Sequence, residues 1–329
     1  MLVRWILWGL LATGVLLSGG WATLALWYQF PGRVVGRMLS AAAWAAFVLA
    51  LLVTGWAHHR GLAFGIYALA FTAMLSWWRT IMPSNHREWA DDVARMLTGE
   101  VEGNLVTLYN VRNFQWRSND DYDIHWETRR YDLGRLISAD LLLSSWGMPG
   151  IVHALLSFGF DDGSHVVFSV EVRRRRNQAF SSIGGFFKHF ERTIVAADER
   201  DLIRVRTNVR MENDHLFRLR MSKSAMRALL LAYMHEANEL AAKPAFYNTV
   251  TSNCVTIVYD MAKEIDSGLA YDYRLLLTAY LPSYLYEVGA LDRRYPLSEW
   301  IARGDITARA RATGPDDDFS RAIRTPPAP

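Results

Sequence analysis

Residues 151–172 read IVHALLSFGFDDGSHVVFSVEV, and this stretch decides the fold. Successive side chains of a strand point to opposite faces. In the first half, Val152, Ala154, Leu156, Phe158 and Phe160 share one face, and in the second half Val166, Phe168, Val170 and Val172 do. Both sets must enter one core, because a slip by one residue would turn a whole set out to water. Only a loop with an odd number of residues meets that condition. A three-residue loop, Asp161-Asp162-Gly163, meets it and puts glycine at the left-handed position such hairpins favour. Phe160 then pairs with Ser164, and Ala154 with Val170. His153 therefore stands opposite Glu171 on the face away from that core, with Cβ atoms about 5 Å apart.

Further along, residues 221–243 have the periodicity of an amphipathic helix. Ser222 or Ser224 can cap it, Leu229, Leu230, Tyr233 and Leu240 contribute its buried stripe, and Pro244 ends it. Polar Thr251, Ser252 and Asn253 then give way to Val255, Ile257, Val258 and Met261. That pattern is an N-cap followed by a helix, with Cys254 in the first turn. Cys254 is the one cysteine of the chain, so an intramolecular disulfide and a Cys-only metal site are both excluded.

A thiol attacks as thiolate, and a helix N-terminus or an adjacent imidazolium lowers its pKa. Cys254 has the first by position. His153 supplies the second if the hairpin packs beside that helix, and Glu171 would then orient the imidazole. The Cys254 amide and a neighbouring N–H would face an oxyanion, with the Asn253 or Tyr247 side chain adding to them. Each part alone has a plainer reading: a buried small hydrophobe for the cysteine, a surface pair for the histidine and glutamate. It is their conjunction that points to a cysteine enzyme.

The 329 residues divide by composition. Within residues 1–82 the only formal charges are Arg4, Arg33, Arg37, Arg60 and Arg79, and three apolar runs follow one another at 5–28, 39–56 and 62–78. The first run is long enough for a bilayer core of roughly 30 Å, and the other two sit at the short end of the range. Trp5, Trp27, Tyr28, Trp56, Trp77 and Trp78 lie at the ends of these runs, as interfacial anchors do. Pro31-Gly32 marks the first turn, and His58, His59, Arg60 and Gly61 the second. A signal peptide would be shorter and would not be followed by two further spans, so we expect a retained helix. Arg4 and Arg60 fall on one side, and Arg33, Arg37, Arg79 and Arg87 on the other, which leans towards a cytoplasmic domain.

The expected layout is a three-helix transmembrane region at 1–82, a juxtamembrane helix and linker at 83–104, a catalytic domain at 105–311 and a disordered tail at 312–329. The short helix is placed at 86–97, capped by Ser84 or Asn85; strands are expected at 105–116 and 124–133 around a polar loop at 117–123, and the apolar run 136–146 is of open type. The net charge of +3 is modest, and the basic run Arg173 to Arg176 stands alone as a solvated strand end, so nucleic acid is not an expected partner. Asp198, Glu199, Arg200 and Asp201 mix both signs and read as salt-bridged surface in place of a metal site. His165, His189, His215 and His235 show no catalytic partner logic, and His125, beside Trp126 and Glu127, reads as structural, with a place in a binding cleft as the alternative. No cofactor and no metal are expected.

Five segments carry a resemblance: WETRRYDL, VHALLSFGFDDGSHVVFSVEVRRRR, AADERDLIRVRTNVR, FYNTVTSNCVTIVYD and LPSYLYEVGALD. They resemble the bacterial Lnb N-terminal periplasmic domain, over roughly residues 105–290. That domain is similar to the permuted branch of NlpC-type, papain-like cysteine enzymes, in which a strand-borne histidine precedes the cysteine-bearing helix. The resemblance implies an α+β fold: three N-terminal transmembrane helices, then a papain-like domain with an antiparallel sheet packed on the Cys-bearing helix. It implies Cys254 as nucleophile, His153 as base and Glu171 as orienting acid, with Tyr247, Asn248, Ser252 and Asn253 as supporting and binding residues. It further implies a bacterial inner-membrane protein with a periplasmic domain, against the lean of the arginines, and we follow the resemblance. The expected activity is acyl transfer through a Cys254 thioester, from a membrane phospholipid to the amine of a lipoprotein. The alternatives are a cysteine amidase or peptidase acting on cell-wall peptide and a non-enzymatic membrane scaffold.

Overall fold

The computed structural model describes residues 2–57, 60–314 and 317–325. The expected turn residues His58 and His59 lie outside these, as do Pro315, Asp316 and residues 326–329 of the expected tail. The chain forms two compact units. The smaller comprises Met1–Ser84, Phe180–Phe190 and Phe246–Asn248, and the larger holds the remainder.

In the smaller unit α1 (Leu2–Gln29), α2 (Val34–Ala57) and α3 (Arg60–Thr80) are each long and apolar enough to cross a membrane. The second and third are longer than the bare apolar runs. α2 begins at Val34 because the Arg37 guanidinium turns back to donate to Phe30 O at 3.2 Å, which lets a cation sit in the first turn. α1 and α2 approach closely at Gly19, where an added Cβ would lie 3.0 Å from Val48. Small residues at such crossings let helices pack without a hydrophobic drive from water. Ser18 and Tyr67 join α1 to α3 through their hydroxyls at 2.6 Å.

The larger unit is built on one mixed sheet. Its strands are β1 (Thr98–Glu102), β2 (Leu105–Arg112), β5 (Trp126–Asp132), β6 (Leu136–Ser145), β7 (His153–Phe160), β8 (His165–Arg173), β9 (Glu191–Ala197) and β10 (Asn213–Arg218). A small separate ribbon pairs β3 (Gln115–Trp116) with β4 (Tyr122–Asp123). The main order is β1-β2-β9-β8-β7-β6-β10, with β5 also paired to β2. The pairing is antiparallel except where β2 meets β9 at Arg112 and Ala197, so the expected antiparallel sheet is in fact mixed. The open-type run 136–146 is β6, an interior strand next to the edge strand β10, and β1, β4, β9 and β10 are strands the sequence reading did not place.

The hairpin register is the expected one. Leu156 pairs with Phe168 and Phe158 with Val166. Phe160 N donates to Ser164 O, and Gly163 closes the loop at φ +84°. The helices α5 (Lys223–Ala242) and α6 (Cys254–Ile265) share a core with Ala154, Leu156, Phe158, Phe168 and Val170. Ser222 caps α5 by accepting from Ala225 N.

The opposite face is not left to solvent. Leu142, Leu155, Val167, Val195 and Ala197 enter a second core with Leu202, Ile306, Ala310, Phe319 and Ile323. These belong to or adjoin α4 (Glu199–Leu202), α9 (Thr307–Ala312) and α10 (Phe319–Arg324), of which the last two follow α7 (Leu281–Glu287) and α8 (Leu297–Gly304) in the chain. Strands covered on both faces read as nearly continuous apolar runs, as LLLSSW and ALLSFGF do.

Three expectations are corrected. Residues 86–97 are not a helix: only Asp91–Val93 makes a helical turn, and Trp89 bridges to Arg175. The cause is the basic run, which is not a solvated end. Arg173 is buried, donates to Val93 O, Ala94 O and Asn85 Oδ1, and lies over the Trp89 ring. Arg174 and Arg176 pair with Asp92 and Asp91. Carbonyls that would serve a helix are thus taken by a strand-borne guanidinium. Second, the tail expected to be disordered from residue 312 contains α10, with Phe319 and Ile323 buried. Third, the mixed-charge run is buried in part: Glu199 is paired with Arg324 and Asp201 bidentately with Arg112.

Candidate active site

The site is assembled at the beginnings of two elements. Cys254 is the first residue of α6, and His153 is the first residue of β7. Cys254 belongs to the core on the helix-covered face, whereas the parity of β7 turns His153 to the other face. Because each opens its element, the thiol reaches the end of the strand, where the His153 imidazole and the Ala154 backbone both act on its acidity.

Local chemistry fixes both ends. Asn253 caps α6: its Oδ1 accepts from Val255 N at 2.8 Å and Thr256 N at 2.9 Å, and Thr256 Oγ1 accepts from Asn253 N, completing a capping box. Asn253 Nδ2 donates to Thr249 O. The oxygen and one of the two N–H groups of that side chain are thus engaged in shaping the helix start. On the strand side, Thr278 clasps the residue before His153, accepting from Val152 N and donating to Val152 O, both at 2.7 Å.

A polar row crosses the sheet beneath the imidazole. Asp214 pairs with Ser144, Ser144 with His153, and Glu171 with Thr193. His153 Nε2 lies 2.8 Å from Ser169 Oγ and 3.2 Å from Glu171 Oε1, and Ser169 Oγ donates to the same carboxylate oxygen at 2.8 Å. Arg206 donates to Glu171 Oε1 at 3.0 Å and, with its other terminal nitrogen, to Glu212 Oε2 at 3.3 Å. It is carried on a π-helical turn, Val205–Val209, a wound-out geometry often found at functional sites. Ser144 Oγ contacts both Glu212 and Asp214.

The electrostatics follow from this layout. For His153, burial alone would lower the imidazole pKa; Glu171 and the thiolate outweigh it, against the opposing Arg206, and raise it to about 9. For Cys254, burial alone would raise the thiol; the charge and hydrogen bond of His153 and the Ala154 backbone hold it below its ordinary value. Glu171 is likewise held well below the usual carboxylate range, burial being overcome by His153 and Arg206. The arrangement favours thiolate and imidazolium together. Asp214 is pushed the other way, up to about 7, chiefly by burial.

Of the sequence-derived candidates, Cys254, His153, Glu171 and Asn253 are brought together in the larger unit. Ser252 precedes the cap in the same unit. Tyr247 and Asn248 fall in the smaller unit, where Tyr247 N donates to Phe190 O. Sequence reasoning missed Ser169, Arg206 and Thr278. Ser169 could have been found by the hairpin register itself, since it lies on the same face of β8 as Glu171. Nothing local marks Arg206 or Thr278, which arrive from distant turns.

The family model of the Lnb N-terminal periplasmic domain matches residues 122–282. The chain carries an Lnb N-terminal periplasmic domain. No curated protein and no solved structure matches the chain. The match spans β7, β8, the π-turn and the start of α6, so all three charged or nucleophilic groups and Arg206 lie within the Lnb domain. Together with three membrane-capable helices ahead of it, this describes a membrane-anchored protein bearing a domain of a periplasmic family.

Proposed function

We propose that this protein is a thiol-dependent acyltransferase of the bacterial inner membrane, with a permuted papain-like site in the periplasm. The observation that carries the reading is the partly buried relay in which His153 stands between the Cys254 thiol and the Glu171 carboxylate. A structural cysteine in a core has no need of an imidazole partner with a raised pKa.

Glu171 and Ser169 occupy the Nε2 side of the ring, which leaves Nδ1 to serve the thiol. The thiolate attacks an acyl-ester carbonyl of a membrane phospholipid. The new S–C bond pushes the carbonyl pair onto oxygen, where the Cys254 amide, unpaired within the first turn of a helix, is placed to receive it. Collapse expels the glycerol alkoxide, which takes the imidazolium proton and leaves a thioester with neutral His153. An amine of a lipoprotein then attacks the thioester, loses its proton to His153, and releases the thiolate with an amide formed. The helix N-terminus and the imidazolium favour the thiolate at the start and end of the cycle. Three membrane helices keep the domain where both substrates reside.

The test is the intact mass of a resident lipoprotein in a deletion strain complemented with wild type or Cys254→Ala. The reading requires one acyl chain to be missing in the null and in Cys254→Ala, and restored by wild type. Unchanged lipoprotein masses with altered muropeptides would instead make the protein a cell-wall amidase. Full complementation by both Cys254→Ser and His153→Ala would make it a scaffold.

A further inference from the structure

The smaller unit contains a feature that the proposed chemistry does not use. From Asn177 to Phe187 the chain reads NQAFSSIGGFF, without a formal charge. Residues Phe180–Phe190 belong to the unit formed by the membrane helices. Phe187 is a plug: its ring stacks on Tyr28 of α1 at 5.6 Å and meets Trp21 and Trp78 at 6.4 and 6.5 Å. Ser181 and Tyr28 join through their hydroxyls at 3.0 Å, and Gln29 Nε2 donates to Phe187 O at 2.6 Å. Lys188 reaches the end of α3, donating to Trp78 O at 2.8 Å and Ile81 O at 3.1 Å, with its ammonium 4.9 Å from the Trp78 ring. A cation over orphan carbonyls is the favourable charge for a helix C-terminus.

The loop is thus fastened to the ends of α1 and α3, at the level of Tyr28, Trp77 and Trp78, the residue types of an interfacial belt. In that position it presents Phe180, Ile183 and Phe186, which are 55%, 55% and 44% exposed. Three large apolar side chains on a short uncharged loop, held at the membrane end of a helix bundle, match the composition of a segment lying in the interface.

We infer that this loop is an interfacial anchor whose Phe180, Ile183 and Phe186 enter the headgroup and upper acyl region of the phospholipid bilayer. The occupant is lipid because the loop is continuous with the ends of membrane-spanning helices and bears no charge of its own. The inference stands apart from the acyl-transfer reading and holds whether or not Cys254 is reactive.

The experiment uses the full chain in a Cys254→Ser background, with Ile183→Cys or Phe186→Cys labelled by a nitrobenzoxadiazole dye. Asp161→Cys, in the exposed turn of the β7–β8 hairpin, is the control. In nanodiscs of phosphatidylethanolamine and phosphatidylglycerol, dye at 183 and 186 should emit blue-shifted light. It should lose emission to lipid carrying a nitroxide near the ester linkages and resist aqueous iodide, with the control behaving oppositely. Iodide quenching at 183 and 186 as strong as at 161 overturns the inference. So does shielding from both quenchers, which would put a protein surface, such as a second copy, over the loop.

Discussion

At the residue scale, the relay depends on charges that oppose burial. Glu171 is the principal group raising the pKa of His153, whose ordinary value is 6.5, to about 9. The imidazolium is therefore stabilised in the fold below pH about 6.5, and that stabilisation is lost as pH rises through about 9. Alkylation of Cys254 by the anion iodoacetate, which the imidazolium attracts, should hold a plateau that falls off above that point. In Glu171→Gln the burial penalty stands unopposed by the carboxylate, so the upper limb should move down by at least a pH unit; an unmoved profile would show that Glu171 does not govern the imidazole. Asp214 supplies a second test. The single proton of Ser144 Oγ can go to only one of its two carboxylate partners, so the other carboxyl must donate to it. Asp214, raised from 3.8 to about 7, is the one that keeps a proton. Its contribution to stability is present below pH about 3.8 and is lost as pH rises through about 7. Asp214→Asn, which mimics the protonated acid, should flatten the dependence of the urea midpoint on pH between about pH 4 and about pH 7. Equal slopes for the two proteins would refute the assignment.

At the element scale, the start of α6 has two jobs in one place. The Asn253 cap that satisfies two orphan amides also sets the direction of the helix dipole towards the thiol. Asn253→Ala should cost about 1 kcal/mol of stability and raise the apparent pKa of Cys254, read by thiolate absorbance. Asn253→Asp, which can still cap, should recover the stability. The cap and the helix were both legible in TSNCVTIVYD because they depend on neighbours within four residues. The hairpin was legible for a similar reason: parity and a three-residue loop leave one register that buries both apolar sets. The strap at residues 85–97 was not legible, since its backbone answers to Arg173, some eighty positions away, and local capping signals lost to a buried guanidinium.

At the scale of the whole molecule, the C-terminal segment closes the second face of the sheet. Arg324 on α10 donates to Asp140 on β6 and to Glu199 on α4, and both carboxylates are almost wholly buried. Removing it leaves two carboxylates inside the fold without their shared cation, so Arg324→Ala should destabilise by about 3–5 kcal/mol, read as a lowered thermal midpoint. A chain ending at residue 312 should be affected at least as much, whereas a dispensable tail would leave the midpoint unchanged. Topology belongs to this scale too. The arginines at the ends of α1 and α3 lean one way and the periplasmic family the other. Alkaline phosphatase fused after residue 83 should be active, and an inactive fusion would reverse the assigned orientation.

The sequence by itself determined what neighbouring residues and parity can decide. It yielded three apolar helices, the β7–β8 register with His153 across from Glu171, the cap at Asn253, and Cys254 in the first turn that follows. It also carried enough motif to mark the Lnb domain. Only the tertiary structure decided that α6 comes to the start of β7, that Arg206 fastens the carboxylate from a π-turn, and that α10 covers the second face. Those outcomes rest on burial of charged groups between elements distant in the chain. The free energy of a buried ion pair is set by every group that surrounds it, and no local pattern of residues encodes that environment.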